Sequence, residues 1–283
     1  MANKYPSESE LIVVAKPEAA LRAAAPGTHM ESVARTDVTP LNRILKTHAA
    51  TIRPLFGASE DRLILERLEA APDGPPIPNL SVYYRVKAPE QQLRAIAKEL
   101  REHEAVEAAY VKPPAQPPLN EMAPAAVNAP PATPNFTSRQ IYLDAAPGGI
   151  DARHAWMLRG GRGEGVRIID IEGAWRFSHE DPTQNQGGVV GGTPSTDIGW
   201  RNHGTAVIGE FGGDANGFGI TGICPEANVS AISIFGDMGS APAIRNAANR
   251  LQPGHIILLE LHRAGPLHNF ENRPDQHGFI AIE

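Results

Sequence analysis

Between Pro113 and Pro134 the chain reads PPAQPPLNEMAPAAVNAPPATP, dense in proline and alanine and almost uncharged. Each proline fixes φ and removes a backbone donor, so neither a helix nor a sheet ladder continues through such a run. The stretch is expected to be an extended, solvated spacer. It therefore divides the chain into two folding units, residues 1–112 and 135–283, with 113–134 as linker. A length of 283 residues agrees with two domains at roughly 150 residues each. Pro114-Ala-Gln-Pro117 meets only the minimal PxxP pattern of an SH3-type ligand, so the linker reading stands.

Before the spacer the pattern is that of a small α+β domain. Leu11-Ile-Val-Val14 reads as a strand. Residues 40–49 carry helical spacing at Leu41, Ile44 and Leu45, with Thr39 as the cap. Residues 62–70 repeat that spacing with Leu63, Leu65 and Leu68. Leu80 to Val86 alternates and contains β-formers, which predicts a strand. Leu93, Ile96, Ala97 and Leu100 fall at i, i+3, i+4 and i+7 of an amphipathic helix, and Val106 to Val111 closes the unit as a strand. This order predicts an antiparallel sheet with helices on one face.

After the spacer, short apolar strands alternate with helical segments. Val166 to Asp170, Val229 to Ile234 and His255 to Leu261 read as strands, and His203 to Phe211 and Ala243 to Leu251 as helices. Such alternation predicts an α/β unit, a parallel sheet with flanking helices. In sheets of this kind the chemistry sits beyond the carboxyl ends of the strands, and Asp170 stands at one such end.

The net charge is −6, which offers no electrostatic footprint for nucleic acid or an anionic membrane. One cysteine forms no internal disulfide. The apolar run Leu11 to Ala15 is too short for a signal-peptide core, and no run is long enough for a membrane span. The expected partners thus exclude nucleic acid and membrane, and the expected compartment is the cytoplasm, with export by a signal-independent route as the alternative.

A strand-end carboxylate and an imidazole at a helix start are the two groups that could act together. Neutral histidine serves as a general base near pH 7, and a buried carboxylate can hold its tautomer. Gly204, directly after His203, permits a close backbone approach. Spacing alone is equally compatible with two capping residues.

Asn202-His-Gly-Thr-Ala-Val-Ile-Gly209 resembles the histidine motif of subtilisin-like serine peptidases, the subtilases. Gly163-Glu-Gly-Val-Arg-Ile-Ile-Asp170 is similar to that family's aspartate motif and is followed by His179-Glu-Asp181, where an H-P-D-like triplet is usual. Gly219-Ile-Thr-Gly-Ile-Cys-Pro-Glu-Ala227 resembles the stretch G-x-x-G-V/I-A-P-x-A. The resemblance implies a serine endopeptidase acting on peptide or protein substrates, with Asp170 as the orienting acid and His203 as the base. One departure is local: Asp170-Ile-Glu-Gly173 replaces the family's small hydroxyl residue and glycine with Ile171 and an additional acid, Glu172.

The second departure is larger. The family's nucleophile motif, G-T-S-x-A/S-x-P, does not occur in these 283 residues, and Met238-Gly-Ser-Ala-Pro242 is read as a helix start capped by Ser240. The expectation is a chain carrying the acid and base of the site without its serine, inactive by itself, with an exposed sheet edge. The alternative is a non-catalytic relative that binds or inhibits through the peptide groove or the prodomain. The resemblance further assigns Leu259, Leu261 and Gly265 to the substrate-lining strand, where an extended peptide adds by β-augmentation. It places a structural calcium ion at Asp181, Asp214 and Asn216, and no other cofactor; a Gly/Asn turn is the competing reading of that loop. Residues 10–112 resemble the family's prodomain, an intramolecular partner that assists folding and blocks the site. Gly160 to Gly165 precedes its strand instead of following it and so is no dinucleotide loop. His255, His262, His268 and His277 lack zinc spacing, and Trp156, Trp175 and Trp200 are read as packing anchors.

Overall fold

The computed structural model describes residues 8–25, 27–70, 77–117 and 133–263. They form two compact units divided between Ala115 and Gln116, inside the proline-rich segment. Residues 118–132 of that segment, Gly265, His268 and His277 lie outside the described residues.

The first unit runs β1 (Glu10–Ala15), β2 (Leu21–Ala24), β3 (His29–Ser32), α1 (Thr39–Thr47), β4 (Thr51–Pro54), α2 (Glu60–Glu69), β5 (Tyr83–Lys87), α3 (Leu93–Arg101) and β6 (Val106–Lys112). Its four-stranded sheet has the order β4-β5-β1-β6, with every neighbouring pair antiparallel. The predicted face of α3, Leu93, Ile96, Ala97 and Leu100, is buried, and α1 adds Leu41 and Leu45 to the same core. Burial of that stripe, more than helix propensity, holds such short helices.

Three local expectations need correction. Thr39 is inside α1 and its amide donates to Asp37 Oδ1, so Asp37 supplies the side-chain acceptor. Leu80 to Val82 form a 3-10 turn and the strand begins at Tyr83, because Asn79 Oδ1 caps the turn through the Ser81 amide. Leu65 and Leu68 of α2 are exposed, and Leu63 alone of the three leucines is buried. The β2–β3 hairpin and β4 carry no clear alternation and were not legible.

The division itself is spanned by β7 (Ala115–Gln116). The second unit continues with α4 (Ala152–Ala155), β8 (Arg167–Glu172), β9 (Gln186–Gly191), α5 (Ile198–Gly212), β10 (Asn228–Ser233), α6 (Ser240–Arg250), β11 (Ile256–Leu259) and β12 (His262–Arg263). It contains a parallel sheet of order β11-β8-β10-β9 flanked by helices. β9 escaped the sequence reading because Gln186-Gly-Gly-Val-Val-Gly191 is glycine-rich and largely exposed. α5 begins at Ile198, where Asp197 caps the amides of Gly199 and Trp200, so His203 lies within the helix instead of opening it. α6 is capped at Gly239, and Ser240 is its first residue.

Side-chain alternation assigns the two faces of the sheet. Ile168, Asp170 and Glu172 of β8 lie in register with Val229, Ala231 and Ser233 of β10. α5 covers this face, since Ile208 packs with Val229 and Ala231. α6 covers the other, where Asn246 lies beside Ile232. Both connections, β9 to β10 and β10 to β11, advance the same way along the sheet but cross on opposite faces, so they have opposite hands. Asn228 N–H donates to the Val166 carbonyl and Ile234 N–H to that of Glu172. These bonds fix the side on which β10 neighbours β8. With L-residues, the β9–α5–β10 crossover is then the left-handed one. Such connections are right-handed in about 98% of cases.

Removing a core side chain of the first unit has a calculable cost. Leu100→Ala, at a position with 0% exposure, is expected to destabilise that unit by about 2–5 kcal/mol in urea unfolding. Leu68→Ala, at 72% exposure, should stay within about 0.5 kcal/mol of the parent. Equal effects would contradict the assigned core.

Candidate active site

β8 delivers two carboxyl groups to the α5 face, because residues two apart in a strand point the same way. Asp170 and Glu172 are both completely buried. Asp170 Oδ2 accepts a hydrogen bond from Trp175 Nε1 at 2.6 Å. Asp170 Oδ1 and both oxygens of Glu172 have no hydrogen-bond donor. His203 projects from α5 toward this pair, with its Nε2 3.7 Å from Glu172 Oε1. The ring also donates to the main-chain carbonyl of Glu260, just beyond β11.

The carboxylate set against His203 is therefore Glu172, where the sequence pointed to Asp170. The reason is axial position. A step of two residues keeps the face and moves the side chain's point of attachment roughly 6–7 Å toward the strand's carboxyl end. Glu172 occupies that end and Asp170 lies one repeat deeper. Ile171, between them, points to the opposite face and is fully buried there.

Close packing holds the helix at this distance. A Cβ at Gly204 would come within 2.4 Å of the Ala174 carbonyl oxygen and 2.7 Å of the Trp175 ring. One at Gly173 would lie 2.4 Å from the Trp200 ring. Both glycines are required because tryptophans lie against their backbone: Trp175 against the residue after His203, and Trp200 against the residue after Glu172. The sequence reading of Trp175 and Trp200 as anchors matches their burial; the signal missed was that both anchor the segment around Glu172.

Burial dominates the electrostatics. It raises Asp170 and Glu172 well above the ordinary carboxylate range, and for Glu172 the neighbouring charges of Asp170 and Glu260 push the same way. Burial also lowers His203, opposed by its bond to the Glu260 carbonyl. A neutral imidazole beside a carboxyl pair is suited to taking up a proton.

The remaining predicted residues are placed as follows. Leu259 pairs with Ile171, on the face away from Glu172, and Leu261 is buried; this segment acts on the imidazole through the backbone of Glu260 and the ring of His262. Asp214 accepts from the Thr183 amide and hydroxyl and from the Gln184 amide. Asn216 Oδ1 accepts from the Phe218 amide in a local turn. Asp181 Oδ2 accepts from the Ile220 amide at 3.3 Å, while Oδ1 has no donor. Asp214 is thus occupied in tying the 183–184 backbone to its own loop. Among the described residues, no group of three or more His, Cys, Asp or Glu side chains converges as a metal site. No helix among them is long and apolar enough to cross a membrane.

No protein-family model matches the chain, and neither does any curated protein.

The raised carboxyls link stability to pH. Their contribution is complete below the ordinary values of 3.8 and 4.5 and is lost as pH rises through their folded-state values. His203 and His262, both lowered by burial, act oppositely, losing their contribution as pH falls below 6.5. The second unit should therefore lose thermal stability as pH rises from the carboxylate range through neutrality. Combining Asp170→Asn with Glu172→Gln should flatten that alkaline limb and leave the acid limb. An unchanged alkaline limb in melting curves would contradict the assignment.

Proposed function

We propose that the second unit carries the acid–base half of a subtilisin-type serine endopeptidase site, with His203 as general base and Glu172 as the acid that orients it. The observation behind this reading is the 3.7 Å approach of His203 Nε2 to a fully buried Glu172 at the carboxyl ends of parallel strands. The motif set from Gly163 to Ala227 supports it, since Gly204 is demanded by the packing around the imidazole.

With the ring proton donated to the Glu260 carbonyl, the nitrogen facing Glu172 is bare. As general base the imidazole would instead carry its proton on the nitrogen facing Glu172, leaving the other free for a serine hydroxyl. The contact to the Glu260 carbonyl is the one such a nucleophile replaces. The serine attacks the peptide carbonyl, its proton passes to the imidazole, and the imidazolium returns a proton to the leaving amine. Asp170, Trp175 and Trp200 support this geometry without touching substrate. The peptide would add along an edge of the sheet. β11 is an edge strand among the described residues, and Ile256 and Ile257 on it are exposed. That open edge equally suits the second reading, a relative that binds or inhibits through the same groove without cleaving. The first unit then acts as the intramolecular prodomain, whose antiparallel sheet folds independently of the slower parallel one.

A fluorophosphonate probe, which reports an activated serine, should leave the 283-residue chain unlabelled. Joined to a segment carrying G-T-S-x-A/S, the chain should label, and His203→Ala should reduce that labelling by about a thousandfold or more. Labelling of the 283-residue chain, or labelling indifferent to His203, would defeat the proposal. Deleting residues 1–112 from that joined protein should give a soluble product that fails to refold from urea unless residues 1–112 are added back; unaided refolding would remove the prodomain role.

A further inference from the structure

Asp170 is left over by the acid–base pair, yet it is as deeply buried as Glu172 and lies beside it. Two ionised carboxyls at 0% exposure would leave Asp170 Oδ1 and both Glu172 oxygens without a donor. Trp175 supplies one N–H, to Asp170 Oδ2. The groups that act on the two carboxyls include no lysine or arginine. The missing donor can come from the pair itself, since a protonated carboxyl donates to its neighbour. The two side chains are placed to hydrogen-bond to one another.

The groups facing the pair come from three directions. α5 contributes His203, and Glu210 further along acts on Glu260. The segment after β11 contributes the Glu260 carboxylate, which repels both acids, and His262, which faces His203. The loop after β8 contributes Trp175. β10 opposes the pair with Ala231 and Ser233, and the Ser233 hydroxyl is committed to the Gly173 and Thr193 carbonyls.

We infer that Asp170 is a positioning residue that holds one proton in common with Glu172, so that the pair's single negative charge moves toward His203 when the imidazole becomes charged. The inference rests on His203 acting as a base. With the ring neutral, the Glu172 carboxyl carries the proton and donates it to Asp170 Oδ1, while the indole N–H fixes Oδ2. When the ring becomes an imidazolium, the Glu172 O–H bond breaks and an O–H bond forms on Asp170 Oδ1. The negative charge then lies on Glu172, facing Nε2. One proton moves along one hydrogen bond, and nothing enters or leaves the pair. Two carboxyls held close together do not readily ionise together, so one of them keeps its proton, and an apolar site favours the same outcome.

The test uses the full chain and needs no activity. At pH 7 its infrared spectrum should contain the C=O band of a protonated buried carboxyl, lost in Glu172→Gln and in Asp170→Asn. In Asp170→Asn, Glu172 should ionise alone and raise the His203 titration midpoint, read by NMR, by roughly one pH unit. In Glu172→Gln the midpoint should not rise. A purely structural Asp170 would move neither the band nor the midpoint. Absence of any protonated-carboxyl band in the unsubstituted chain overturns the inference even if the variants fail to fold, as does a band that survives Asp170→Asn. A band present alongside failed fluorophosphonate labelling of the protein joined to the G-T-S-x-A/S segment would instead defeat the peptidase reading alone.

Discussion

An isolated carboxylate taken out of water costs several kcal/mol even after the surroundings relax, and β8 buries two of them on one face. The second unit is arranged around that cost. Trp175 answers one oxygen of Asp170, and His203 is the one basic side chain at ion-pair distance from Glu172 among the described residues. Raised carboxyls and a lowered imidazole are two results of the same desolvation. Buried ionisable groups of this kind are a poor route to stability, and they concentrate where chemistry is done.

The approach of helix to strand is set by packing at two glycines. Trp175 lies where a side chain at residue 204 would be, and Trp200 where one at residue 173 would be. Each tryptophan therefore acts on the backbone next to a polar group, drawing α5 onto the end of β8. The left-handed crossover that carries α5 belongs to the same constraint. It puts this helix on the face bearing the carboxyls, while the right-handed connection through α6 goes to the opposite face.

Much of the architecture was legible from residue pattern. The division into two units falls inside the proline-rich run, and the apolar stripe of α3 is buried residue for residue. Elements that failed to show were short or glycine-rich: the β2–β3 hairpin, β4 and β9. Their strand character comes from pairing with neighbours more than from their own side chains. Helix starts shifted for a similar reason. Asp197 caps α5 before the apolar pattern begins, and Gly239 takes the cap position expected of Ser240. The loop with Asp214 and Asn216 shows hydrogen bonds that tie its own backbone, which no side-chain inventory distinguishes from a ligand set.

At the candidate site, residue pattern places an acid at the carboxyl end of β8 and His203 on a helix whose next residue, Gly204, admits close packing, whereas the face that this helix covers follows from the left-handed crossover. Only the tertiary structure shows that the carboxyl at ion-pair distance from His203 is that of Glu172. Period-two alternation gives every second residue the same orientation and says nothing of its height along the strand. That height is read against α5, whose position depends on tryptophans and glycines from two separate segments.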